Sequence, residues 1–292
     1  MTFDRRITPA RADLADERLR GRVEAERFAT GTPMRVIAPS APLRRFPSPD
    51  APLNTEALMG ERVTAYDEHE GFAWGQLAAD GYVGYLPSTA LGPLGAEPTH
   101  RVAALRTFLY PGPNLKLPPV DFLSLGAHLA VAGPEGDYAR LAAGGFVHVA
   151  HVVPIARFEP DFVAVAERLV GTPYLWGGKT SLGLDCSGLV QLSLDAAGLA
   201  APRDSDMQER DLGEPVVVPA DLSGLRRGDL VCWKGHIGVM LDAERLLHAN
   251  GHHMAVAIEP LREAEARIRV KSFGPITSVK RLPAPGRLYA TE

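Results

Sequence analysis

Cysteine is scarce in this chain, with only two among 292 residues. That excludes a disulfide framework and a multi-cysteine zinc site, and the two cysteines fit a reducing compartment. Nine histidines are present, but neither Cys-x-x-Cys nor His-Glu-x-x-His occurs, so no metal and no cofactor are expected. Also missing is any apolar run of the roughly 18 residues that a membrane helix needs. The opening stretch carries charges throughout and lacks the apolar core of a secretory signal, so a cytoplasmic location and no membrane partner are expected. Charge of one sign is absent too: 31 basic residues against 35 acidic leave net charge -4, which excludes nucleic acid as an expected partner.

What is present points to a β-rich globular protein. Glycine (29) and proline (25) are abundant and spread along the chain, which favours short strands and turns, and the length predicts two or three hydrophobic cores. Residues 12–28 are rich in Arg, Glu and Leu and predict a helix within an N-terminal arm of residues 1–33. From 34 the pattern turns to short segments cut by Pro and Gly, and it repeats. Leu77–Leu86 reads LAADGYVGYL and Leu141–Ala150 reads LAAGGFVHVA, 64 residues later, while Phe46-Pro and Tyr110-Pro share that offset. Two small β-barrels, 34–95 and 96–157, account for the repeat. A third domain, 158–292, is predicted to hold a helix over 161–170 and a buried helix after Cys186 capped by Gly198. Strands over 229–241, 246–250 and near 268–272 would complete an α+β domain.

Cys186 lies directly before that buried helix, where the positive helix end favours a thiolate. On position alone it reads equally as a nucleophile or as a small core residue. A thiol nucleophile needs a base that can later protonate the leaving amine, and histidine suits that task near neutral pH. His236 interrupts an apolar strand between glycines, and a lone histidine in a strand is more often structural. His248, twelve residues on, interrupts the next strand, where a polar group would hold the imidazole in one tautomer. The two histidines share a sheet face only if the loop between their strands has an odd number of residues or a bulge restores the register. Cys232, read as lying on the same strand as His236 about 13 Å away, is expected to be a core thiol. Trp74, Trp176 and Trp233 are expected to line core or cleft.

The runs Gly171-Thr-Pro-Tyr-Leu-Trp-Gly-Gly, Asp185-Cys-Ser-Gly-Leu-Val and Pro202-Arg-Asp-Ser-Asp-Met-Gln, then Gly228-Asp-Leu-Val, His236 and His248, resemble the papain-like NlpC/P60 catalytic domain in order and spacing. The preceding repeats resemble bacterial SH3 domains. Over most of its length the chain is similar to γ-D-glutamyl-L-diamino-acid endopeptidases, also called dipeptidyl-peptidase VI. The resemblance implies a triad of Cys186, His236 and His248. It also implies a small peptide substrate, L-Ala-γ-D-Glu-diamino acid, derived from cell wall, and a cleft that reads the free L-Ala amine. Its implied substrate residues are Asp185, Ser187 and Ser205, with Glu56 and Tyr82 from the first SH3-like domain; Tyr174 is expected beside the thiol. Asp185 reads equally well as the helix N-cap. A buried ammonium needs a carboxylate partner, which Asp185 and Glu56 would supply. Tyr85 departs from the Trp of many relatives. The same fold also serves acyltransferases and amidases, and a non-catalytic wall-peptide-binding module is a third reading.

Overall fold

The computed structural model describes residues 3–219 and 221–283. The chain divides into two compact units at Arg157/Phe158.

In the first unit, seven antiparallel strands between Thr32 and Gly92 form one sheet that curls around Leu43, Val63, Leu77 and Leu86. Three short sheets between His100 and Pro154 surround a separate core of Val102, Leu123, Leu129, Leu141 and Val147. The 64-residue repeat corresponds to one hairpin in each half: Phe72–Leu77 with Val83–Pro87, and Tyr138–Leu141 with Phe146–His148. Each hairpin is followed by a 3-10 turn, Ser88–Ala90 or Val149–His151.

The helix expected over 12–28 is not formed. Leu14–Asp16 is instead a short strand parallel to Arg27–Ala29, with a 3-10 turn at Glu17–Leu19. Tertiary contacts override helical propensity here: Leu14 and Ala15 are buried, and Asp16 accepts the Tyr66 hydroxyl at 2.5 Å. Tyr82 is only 4 % exposed and packs in the core of the seven-stranded sheet. Trp74 is buried under the Arg11 guanidinium, which also donates to the Tyr85 hydroxyl at 3.0 Å.

The second unit sets helices against a six-stranded antiparallel sheet. Its helices are α1 (Phe162–Arg168), α2 (Cys186–Ala196), α3 (Ser205–Asp211) and α4 (Leu261–Lys271). Its strands are β1 (Glu214–Pro215), β2 (Leu230–Trp233), β3 (His236–Met240), β4 (Arg245–Asn250), β5 (Ala255–Pro260) and β6 (Ile276–Arg281). They run in the order β1-β6-β2-β3-β4-β5. Helix α2 packs across β3 and β4 and is buried on nearly every side, which its apolar sequence allows. Gly198, just past its end, takes a left-handed φ of 77°.

Two strand expectations change. The run 229–241 is two strands, not one, because Lys234-Gly235 turns the chain and Gly235 supplies the φ of 92° that the turn needs. Cys232 therefore lies across the hairpin, paired with Ile237, and not along one strand from His236. The strand expected near 268–272 is the end of α4, where Leu261, Ala264, Glu265 and Ile268 bury one helical face.

Candidate active site

Helix α2 begins at Cys186 because Asp185 caps it. The Asp185 carboxylate accepts the Gly188 N–H at 2.7 Å and the Gly177 N–H at 2.9 Å, joining the helix start to the glycine-rich approach. Gly188 has no room for a side chain, since a Cβ would fall inside contact distance of the Gly178 carbonyl oxygen. That close approach holds the thiol-bearing turn against the 177–178 loop.

Cys186 is 8 % exposed, and the backbone N–H groups of Ser187 and of Ile237, the residue that follows His236, lie near enough to favour its thiolate form. Helix α2, which begins at Cys186, packs on β3, which begins at His236. Burial, helped by the Asp185 charge, pushes the thiol up to about 12, against the pull of those N–H groups and of Arg203. The thiolate expected from the helix end is not the resting form; desolvation outweighs it.

Strands β3 and β4 bring the histidines together. Met240 pairs with Leu246 across the five residues 241–245, an odd count, so His236 and His248 face the same side of the sheet. His236 Nε2 lies 2.8 Å from His248 Nδ1, and His248 Nε2 lies 2.7 Å from Glu259 Oε1 on β5. Arg267 on α4 closes the row by donating to both Glu259 oxygens at 2.6 Å. The His236 ring stacks on Phe273 with centroids 5.3 Å apart and also meets Trp233 at 5.5 Å. Burial, His248 and Arg267 hold His236 down at about 3 despite Glu259. Burial lowers His248 as well, so both rings rest neutral. At Glu259, burial works against the charge, but Arg267 and His248 overcome it and keep the carboxyl well below its usual range.

A cavity of about 220 Å³ opens beside the pair, lined by Tyr174, His236, His248, Asn250, His252 and Phe273. Tyr174 is near enough to Cys186 and Asp185 for their charges, after burial, to raise its hydroxyl further. Trp176, two residues on, is 68 % exposed and belongs to no core.

The expected substrate residues divide. Asp185 and Ser187 flank the thiol, but both are already engaged. Arg203 donates to Asp185 Oδ1 at 2.9 Å, to Asp185 Oδ2 at 2.8 Å and to Ser187 Oγ at 2.9 Å. The Asp185 charge is therefore balanced within the protein and does not stand available for an ammonium. Ser205 opens α3, half-buried. Glu56 lies on the first unit's strand Leu53–Leu58, opposite Pro42. Sequence reading missed Arg203, Glu259, Arg267 and Phe273. Arg203 sits within a quoted motif and could have been found as the countercharge of Asp185; the other three signal only through tertiary placement.

A helix-borne thiol packed on an antiparallel sheet, with two histidines on that sheet, defines a papain-like cysteine peptidase. Residues 171–272 match the model of the NlpC/P60 family, and residues 43–91 match that of the bacterial dipeptidyl-peptidase Sh3 domain. Residues 171–272 thus form an NlpC/P60 domain. The chain is 25% identical over 241 residues to a gamma-D-glutamyl-L-lysine dipeptidyl-peptidase of Bacillus cereus, an alignment covering 72% of this chain and 71% of the relative. With the protein of the same name from Bacillus subtilis it shares 25% identity, covering 73% and 78%. The fold is that of an NlpC/P60 family protein from Bacillus cereus, with TM-score 0.71 and 19% identity over 86% of this chain and 100% of that one. The family match establishes the first SH3 domain; the second cluster of strands lies outside it. Among the described residues no helix is long and apolar enough to cross a membrane.

Proposed function

We propose that this cysteine peptidase hydrolyses the bond between γ-D-Glu and a diamino acid in small cell-wall peptides that begin with a free L-Ala. The observation that carries the reading is the packing of helix α2, which begins at Cys186, on β3, which begins at His236, whose ring is hydrogen-bonded to His248. The two Bacillus relatives, each a gamma-D-glutamyl-L-lysine dipeptidyl-peptidase, suggest the substrate class.

In this reading His236 takes the thiol proton as Cys186 attacks the γ-carbonyl carbon, and a thioester forms. His236 returns that proton to the leaving amine of the diamino acid, and water then releases L-Ala-γ-D-Glu. Neutral resting thiol and imidazole mean that proton transfer accompanies attack instead of preceding it. The Cys186 backbone N–H at the start of α2 serves the oxyanion. His248 orients His236, and Tyr174 borders the reacting centre. With Asp185 and Ser187 tied to Arg203, reading of the amine falls to other groups, with Ser205 as the remaining candidate within this unit. A cytoplasmic site of action belongs to the same proposal and is supported by two free cysteines.

The test is mass spectrometry of products from L-Ala-γ-D-Glu-L-Lys, its meso-diaminopimelate counterpart and the N-acetylated forms. L-Ala-γ-D-Glu should appear from the free peptides with the natural protein and not with Cys186→Ala. Cleavage of the acetylated peptides would remove the amine requirement, and no cleavage of any peptide would remove the substrate assignment.

A further inference from the structure

Beyond the three residues expected from sequence, the row of groups behind His236 continues through His248 to Glu259 and Arg267, and its polarity is decided at its far end. Both Glu259 oxygens accept from Arg267 at 2.6 Å, and Oε1 also lies 2.7 Å from His248 Nε2. An ionised carboxylate can only accept, so His248 Nε2 must carry the proton. His248 is fully buried and neutral, which leaves its Nδ1 as an acceptor. His236 Nε2, 2.8 Å from that Nδ1, must therefore be the donor. The proton on Nε2 of a neutral His236 empties Nδ1, the other ring nitrogen and the one a thiol proton would enter.

We infer that Glu259, held ionised by Arg267, is a positioning residue that fixes the tautomers of His248 and His236 together, so that His236 presents an unprotonated Nδ1 as the base. This rests on His236 acting as base to Cys186. Reversing the row would place a proton on His236 Nδ1 and leave Cys186 facing a donor, which cannot accept its proton. The position on β5 is set by register: His248 pairs with Ala257, and Glu259 lies two residues along the same face. His253 Nδ1, at 3.9 Å from Glu259 Oε1, is too distant to replace His248 as its hydrogen-bond donor.

The test is a two-bond proton–nitrogen NMR spectrum of full-length protein labelled with nitrogen-15 in histidine, with His236→Gln and His248→Gln variants assigning the rings. In the natural protein at pH 8 both rings should carry the proton on Nε2; a proton on His236 Nδ1 would overturn the inference without any variant. In Glu259→Gln, one acceptor oxygen faces three donors, and a mixture with Nδ1-protonated rings should appear. Its kcat should fall by roughly 100- to 10,000-fold with KM little changed. Arg267→Lys loses the paired contacts of the guanidinium but keeps a cation beside Glu259, so the Nε2 tautomers should persist; this separates tautomer control from support of the fold. Unchanged tautomers in Glu259→Gln would refute the idea whatever the activity. If no wall peptide is cut even by the natural protein, the spectra still decide between these outcomes.

Discussion

Replacing Arg203 with Leu should cost more than any surface change of the same size, because it strands a buried charge. The guanidinium is almost wholly enclosed and meets Asp185 through both carboxylate oxygens. Removing one partner of such a pair typically costs about 3–5 kcal/mol, most of it from the carboxylate left unpaired. For a unit of this size that corresponds to a fall of roughly 10–15 °C in Tm. Asp185→Asn combined with Arg203→Leu removes both charges while keeping an N-cap acceptor for Gly188. The double variant should therefore be at least about 2 kcal/mol more stable than the sum of the single changes requires. Urea titration followed by fluorine NMR of 5-fluorotryptophan protein reports Trp233 in the second unit separately from Trp74 in the first. A loss below about 1 kcal/mol for Arg203→Leu, or strict additivity in the cycle, would refute the reasoning that the pair is buried and coupled.

Acid should weaken the second unit through its histidines. His236 is held at about 3 by burial and His248 is lowered in the same direction, so above the ordinary value both folded and unfolded forms are neutral. As pH falls below about 6.5 only the unfolded chain takes up protons, and stability drops by about 1.4 kcal/mol per pH unit for each such histidine. Urea midpoints between pH 7 and 5 test this, and His236→Gln should shed its share of the slope; an unchanged slope in that variant would contradict the assigned shift. Gly188→Ala forces a methyl onto the Gly178 carbonyl and should destabilise by about 1–3 kcal/mol while displacing the Cys186 turn. Calorimetry measures the first effect and the rate of peptide cleavage the second, with a silent substitution ruling out the close packing described.

Much of the second unit was legible in sequence because local chemistry and spacing coincide there. Asp185 before Cys186 marks a helix start, and the odd loop between the strands of His236 and His248 places both rings on one side of a sheet. The 64-residue repeat marked two equivalent hairpins in the first unit. Three errors have one origin, a pattern read without its partners. Helix formers in residues 12–28 gave way to burial of Leu14 and Ala15 beside Tyr66, residues near 268–272 ended a helix rather than forming a strand, and the turn at Lys234-Gly235 was hidden between strands apolar on both sides.

The sequence by itself determined the chemistry available: a cysteine at a helix start, two histidines at strand positions of matching parity, and glycines where backbone must approach backbone. Only the tertiary structure decided the state of that chemistry. Burial set the thiol and imidazole neutral, Arg203 took the charge of Asp185, and Glu259 reached His248 from β5 with Arg267 behind it. Desolvation and hydrogen-bond polarity depend on what surrounds a group in three dimensions, and no spacing along a chain contains that information.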